Sequence, residues 1–220
     1  MLIAGIDEAG RGCAIGPLVV AGVLFKEANL AALANLGVKD SKLLTPSKRE
    51  ALVPEIMRIA EKHVVLKLSP WEIDRVVESQ RKLHKLNRLE AETMGKIVTA
   101  LEPDVTYVDA ADVLEKRFGQ HILEASTFKT KIVSEHKADR TYPVVSAASI
   151  IAKVERDSDV AKLRIEHGDF GTGYLTDPKT MQFLVSWLKK NPEYPECVRK
   201  SWKPAKEAKN QQGTTQQKLF

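Results

Sequence analysis

Leu2-Ile3-Ala4-Gly5-Ile6-Asp7-Glu8-Ala9-Gly10-Arg11-Gly12 opens with an apolar run of strand length, which ends in two acids and a glycine-rich turn. Residues 2–6 read as a buried strand, because a short apolar run bounded by turn residues suits a strand covered on both faces. Two adjacent acids at its end are costly in an apolar neighbourhood unless something positive neutralises them. Strand ends beside loops are also where α/β proteins build their sites, so a divalent cation is the natural neutraliser.

Outward from this stretch, residues 17–25 read as a second strand, 63–68 as a third, 105–108 as a fourth and 127–133 as a fifth. In the fifth, Phe128, Thr130 and Ile132 fall on one face. Thr45-Pro46 reads as an N-cap followed by proline at the first helical position, opening a helix with Leu52, Ile56 and Ile59 on one side. Residues 86–101 carry Leu89, Met94, Ile97 and Leu101 at helical spacing, and Pro103 stops that helix. Residues 146–165 and 178–188 are two more helices. The order predicts an α/β fold with a helical C-terminal extension. The expected division is one domain over residues 1–202, whose helical C-terminal part covers about 175–202, and a flexible polar tail over 203–220, where Lys, Gln, Thr and Ala replace large apolar residues.

With 43% apolar and 29% charged residues, the composition is that of a globular protein and argues against a disordered or membrane chain. Residues 15–25 are too short for a membrane span and contain Pro17 and Gly22. With no visible secretory signal, a cytoplasmic location is expected. Cys13 and Cys197 lack the spacing of a zinc site or disulfide framework and read as reduced thiols. The formal charge of +5 permits a polyanionic partner without requiring one.

Asp109-Ala110-Ala111-Asp112 repeats the first pattern at the end of the fourth strand, and Asp139 follows the fifth. If these strands are neighbours, Asp7, Glu8, Asp109 and Asp139 converge on one sheet edge. An all-oxygen cluster suits Mg²⁺ or Mn²⁺ rather than zinc, and phosphodiester hydrolysis is the reaction such a site serves. Taken singly, each acid is equally a helix cap or strand end, and Asp112 reads as a solvated helix-start acid. Gly10-Arg11-Gly12 suits a cradle for phosphate or ribose oxygens, or simply a tight turn. Asp40-Ser41-Lys42 is either a surface loop or a lysine placed near phosphate. Ser146 and Ser149, with Lys153 and Arg156 further along the same helix, suit a phosphate at a helix start, although an N-cap explains one serine as well. Tyr174, in Gly171-Thr172-Gly173-Tyr174, either stacks on a base or sugar or closes its loop. The five histidines are scattered, which weakens any two-histidine ribonuclease mechanism.

Together, residues 6–12, 40–42, 108–112, 136–139, 143–157 and 171–174 resemble the type 2 ribonucleases H, in the family's order up to about Trp202. The resemblance implies a ribonuclease H-like five-stranded mixed sheet flanked by helices, with a C-terminal helical part. It implies that Asp7, Glu8, Asp109 and Asp139 are the catalytic, metal-binding acids, holding Mg²⁺ or Mn²⁺ as two ions per site. Gly10, Arg11 and Gly12 resemble the loop that senses the ribose 2′-hydroxyl, and Tyr174 the tyrosine at the RNA-to-DNA junction. Ser41, Lys42, Ser146, Ser149 and Lys153 resemble backbone-phosphate contacts. The implied activity cuts 5′ to a ribonucleotide in RNA–DNA hybrids and in ribonucleotide-containing duplex DNA, leaving a 3′-hydroxyl and a 5′-phosphate. That is work for ribonucleotide excision in DNA replication and repair. The compact length and residues 136–139 and 146–150 resemble archaeal single-subunit members and the eukaryotic catalytic subunit more than bacterial members, so a monomer is expected and no companion subunit need be assumed. Cys13 departs from the proline often found there and places an oxidisable thiol beside the loop.

The tail Gln216-Gln217-Lys218-Leu219-Phe220 partly resembles the peptide by which replication proteins bind a sliding clamp, but Phe220 follows Leu219 directly where that peptide has more spacing. Two rival classes are weaker. An actin-like ATPase would need a second such domain, for which the chain has no room. A noncatalytic nucleic-acid binder would have no reason to hold negative charge beside phosphate.

Overall fold

The computed structural model describes residues 1–38, 44–80 and 85–217, with side chains described through residue 211. Asp40, Ser41, Lys42 and the last three residues of the clamp-like peptide lie outside the described residues.

In chain order the elements are β1 (Leu2–Ala9), β2 (Leu18–Lys26), α1 (Leu30–Asn35), α2 (Pro46–Ile59), β3 (Lys62–Leu68), α3 (Pro70–Val77), α4 (Lys85–Leu101), β4 (Val105–Asp109), α5 (Glu115–Ala125), β5 (Lys131–Glu135), α6 (Ala138–Thr141), α7 (Pro143–His167), α8 (Pro178–Leu188) and α9 (Lys203–Gln217). One five-stranded sheet has the order β3-β2-β1-β4-β5. β1 pairs antiparallel with β2 and parallel with β4, and β4 pairs parallel with β5. The mixed, helix-flanked sheet expected from the sequence is therefore present. No helix among the described residues is long and apolar enough to cross a membrane.

The chain divides into two compact units. The first comprises Met1–Ala9, Val19–Lys67 and Lys82–Glu155; the second comprises Gly10–Leu18, Leu68–Arg81 and Arg156–Phe220. In the first unit, Ile3, Val19, Val23 and Phe25 pack with Leu33, Leu52, Ile56 and Val145 on one side of the sheet. On the other side Gly22 lies against Ile97 of α4, and α4 packs along α5. Gly5 sits where the backbone of α7 comes closest: a Cβ there would lie 2.5 Å from the nitrogen of Val145 and closer still to the carbonyl of Val144. Only a residue without a side chain lets α7 approach β1 so closely. In the second unit, Ile15, Val160, Phe170, Leu184, Tyr194 and Val198 form a separate core.

Several elements differ from expectation, and α1, α3, α5 and α6 were not expected. The fifth strand begins at Lys131, not residue 127, because Ser126 and Phe128 bond locally: the Ser126 hydroxyl donates to the Phe128 carbonyl (2.8 Å) and accepts from its N–H (3.1 Å). α3 was legible, since Ser69 and Glu72 form a capping box with Pro70 at the first position. Where a mobile tail is expected from residue 203, α9 is a helix. Ala205 is fully buried, and the Tyr194 hydroxyl donates to its carbonyl. Small alanines can pack closely without the large apolar residues whose absence suggested a tail.

Candidate active site

The first unit gathers three acids. Asp7 lies near the end of β1 and Asp109 ends β4, its parallel neighbour. Asp139 is carried in the first turn of α6. The N–H of Ala138 donates to the Asp109 carboxylate (3.2 Å), which ties the start of α6 to the end of β4. One carboxylate oxygen from each of Asp7, Asp109 and Asp139 lies within 4.8 Å of the others. Asp7 is nearly buried and Asp139 wholly so.

The α7 helix closes over Asp7. Burial pushes the Asp7 carboxyl up to about 6, against the opposing pull of the Lys153 ammonium and a hydrogen bond from Ser149, while the charge on Asp109 adds to the rise. Its carboxylate also accepts from the N–H of Glu8 (2.8 Å). Lys153 donates in turn to the Ser149 hydroxyl. Three carboxylates converging on one point form a hard, all-oxygen donor set, and the Asp7 carboxyl, raised chiefly by burial and further by the charge on Asp109, is one whose ionised form a cation would favour. The residues fit Mg²⁺ or Mn²⁺ and do not fit zinc.

The second unit holds the glycine loop. Gly10 has φ +86°, and a Cβ there would meet the Pro17 carbonyl at 2.6 Å. The N–H of Cys13 returns to the Gly10 carbonyl (3.3 Å), closing a turn, and Ala14 and Ile15 both donate to the carbonyl of Gly173. Gly12 is exposed, with nothing within 4 Å of the place a Cβ would take. Arg156 is buried, donates to the Thr172 carbonyl and to Cys13 Sγ (3.0 Å), and stands 4.7 Å over the ring of Tyr174. Tyr174 is half-buried, and burial pushes its hydroxyl up to about 12. Arg199 lies under the loop with its guanidinium on three loop carbonyls.

Several sequence readings change here. Ser149 and Lys153, expected as phosphate contacts, lie beside Asp7. Ser146 is fully buried and its hydroxyl donates to the carbonyls of Asp139 and Tyr142, so it joins α6 to α7. Asp112 is not solvated. It is 1% exposed, accepts from the Leu114 N–H (3.0 Å) and pairs with Arg117 through both oxygens. Burial alone would raise its carboxyl, but these bonds, together with one from Asn87, hold it well below the usual carboxylate range. Cys13 is fully buried, and burial pushes its thiol up despite Arg156 and Arg199 nearby, so the reactive thiolate is disfavoured and the expected oxidation liability is small. Both cysteines are free. Arg199 was missed, since nothing in Val198-Arg199-Lys200 marks it as different from a surface cation.

A five-stranded sheet in this order, with acids from adjacent strand ends closing on one point, defines a metal-dependent enzyme of the ribonuclease H class. Residues 4–205 match the family model for Ribonuclease HII. The ribonuclease HII of Thermococcus onnurineus is 45% identical over 230 aligned residues that span 100% of this chain and 99% of the relative. The crystal structure of ribonuclease H2 from Pyrococcus horikoshii superposes with a TM-score of 0.89 at 41% identity, covering 97% of this chain and 99% of that one. A chain of the PCNA:RNase HII complex from Archaeoglobus fulgidus gives 0.83 at 43% identity, covering 92% and 96%. The chain belongs to the ribonuclease HII family, whose activity is hydrolysis of RNA in duplex with DNA.

Proposed function

We propose that the enzyme cuts the phosphodiester on the 5′ side of a ribonucleotide, in RNA–DNA hybrids and at single ribonucleotides embedded in duplex DNA, leaving a 3′-hydroxyl and a 5′-phosphate. The observation that carries this reading is the closure to within 4.8 Å of Asp7 and Asp109, at or near adjacent strand ends, and Asp139, in the first turn of α6. Asp7, Glu8, Asp109 and Asp139 would hold two divalent ions, Mg²⁺ or Mn²⁺, which supply Lewis-acid activation of water and of the scissile phosphate.

The chain's own groups keep those acids rigid. Ser149 and the Glu8 N–H fix the Asp7 carboxylate, and the Ala138 N–H fixes Asp109. Lys153 offsets part of the local negative charge. Gly10, Arg11 and Gly12 read the ribose: Gly12 leaves room for a sugar to approach the backbone, and only a 2′-hydroxyl there would gain a hydrogen bond. Tyr174 packs at the RNA-to-DNA junction, its ring steadied by Arg156. Ser41 and Lys42 are proposed backbone-phosphate contacts on the family resemblance alone. The C-terminal peptide is proposed to bind a sliding clamp, with support from the related protein captured with PCNA. The substrate range fits a monomer acting in the cytoplasm, in ribonucleotide excision during replication and repair.

The test is cleavage of a DNA duplex carrying one ribonucleotide, with Mg²⁺, with Mn²⁺ and with chelator, mapped at nucleotide resolution. A metal-dependent cut 5′ to the ribonucleotide with a 3′-hydroxyl product is expected. Binding without any cut would overturn the reading.

A further inference from the structure

Arg199 is the largest fully buried side chain of the described residues. Its guanidinium donates from Nε to the Gly16 carbonyl (3.2 Å), from Nη1 to the Arg11 carbonyl (2.8 Å), and from Nη2 to the carbonyls of Gly10 (2.7 Å) and Gly16 (3.1 Å). All these acceptors are carbonyls; none is a carboxylate. Its own N–H is held differently, by donating to the Ala14 carbonyl (2.8 Å), and the ring of Trp202 lies 5.0 Å from its guanidinium carbon.

A buried cation that bonds only to carbonyls, with Asp74 acting on it through charge alone, is an expensive way to hold a fold together, since an apolar side chain of similar volume often does as well. The cost is visible in the guanidinium itself, which burial pulls down to about 10. What no apolar side chain supplies is a rigid, planar fork whose donors reach carbonyls at separate points of one loop. Here the fork pins both ends of the turn that contains Gly12. Lysine, a single nitrogen on a flexible stem, cannot reproduce that geometry.

We infer that Arg199 is a positioning residue for ribose recognition: it touches no reacting atom, and it holds the loop over residues 10–16 in the shape that distinguishes a ribonucleotide from a deoxyribonucleotide. The inference rests on the proposed role of Gly10, Arg11 and Gly12. No bond of Arg199 goes to a carboxylate, so the loss should fall on discrimination.

The experiment compares the wild type with Arg199→Lys and Arg199→Met in Ca²⁺, a cation chosen to allow binding without turnover. It reads the ratio of affinities for a duplex carrying one ribonucleotide and for the all-DNA duplex, after a thermal melt has established that each variant is folded at the assay temperature. Both variants are expected to lower the ratio about tenfold, with all-DNA affinity unchanged. Amide exchange should quicken at Cys13, Ala14 and Gly16 but not in β1 and β4. A merely structural role would lower the melting temperature and leave the ratio of the folded protein alone, and that result overturns the inference. Should neither variant fold, Trp202→Leu removes the ring against which the guanidinium is held and so loosens the four bonds without deleting the fork. It should lower the ratio about threefold, and an unchanged ratio overturns the inference equally. A wild type that shows no preference for the ribonucleotide would instead refute the assignment of the loop, which separates the two failures.

Discussion

Replacing Gly5 with alanine tests how the carboxylate site is assembled. The added Cβ would lie 2.5 Å from the Val145 nitrogen and nearer still to the Val144 carbonyl, where ordinary contact begins at 3.4 Å. These are backbone atoms in the first turn of a 25-residue helix, so no side chain can swing aside. Relief requires α7 to back away from β1 by about 1 Å, which overpacking data place at about 3 kcal/mol. For a chain of this size that is a fall of about 6–12 °C in melting temperature. The same movement draws Ser149 and Lys153 away from Asp7, because both ride on α7. Displacements of 1 Å cost on the order of a hundredfold in rate when they misplace a catalytic constellation. Calorimetry gives the stability, and cleavage of a single-ribonucleotide duplex well below the variant's melt gives the rate. Gly12→Ala is the matched control, expected to melt within about 1 °C of wild type, because nothing surrounds that position. A Gly5→Ala protein with wild-type melt and wild-type rate would refute the packing of α7 on β1 argued above.

Asp109→Asn keeps the shape of the side chain and removes one charge from the cluster. It should leave duplex binding by fluorescence anisotropy intact while cutting turnover by at least about a hundredfold, and undiminished turnover would sink the metal assignment. Asp7, raised to about 6, is mostly protonated below that pH in the metal-free protein, and a cation must displace the proton. Apparent Mg²⁺ affinity should therefore climb as pH rises through about 6, and calorimetry at pH 6 in two buffers should find about half a proton released per site; no release would contradict the raised carboxyl. Because the native state holds a proton that the unfolded chain has lost, this group's contribution to metal-free stability falls as pH rises from 3.8 to about 6. Asp112 has the opposite sign. Its lowered carboxyl stabilises the fold above the ordinary value of 3.8, and that contribution fades as the solution is acidified further. Asp112→Ala, which strands an Arg117 that is 31% exposed, should cost about 2 kcal/mol, or about 4–8 °C, and a melt within 1 °C of wild type would contradict the pairing.

The strand ends were legible because their signals are local. An apolar run ending in Asp7-Glu8 and another ending in Asp109 announce themselves within a few residues, although β1 and β4 are neighbours without being sequential strands. The capping box at Ser69 and Glu72 is an equally local signal. α9 was misjudged for a different reason: composition predicts large apolar burial, while Ala205 and Ala208 pack through smallness.

Convergence of the acids waits on β1 and β4 lying side by side, but the strands, the acids Asp7, Glu8, Asp109 and Asp139, and the family resemblance are legible in the sequence. Each of these is written in short runs whose residue types and spacing have few physical uses. Only the tertiary structure decided which groups attend those runs. Ser149 and Lys153 look from the sequence like a phosphate cradle, yet the close approach allowed by Gly5 turns them toward Asp7. Arg199 reaches Gly10 across 189 positions of sequence and Gly16 across 183. A buried guanidinium takes whatever carbonyls folding brings to it, and no periodicity or spacing in the chain encodes that meeting.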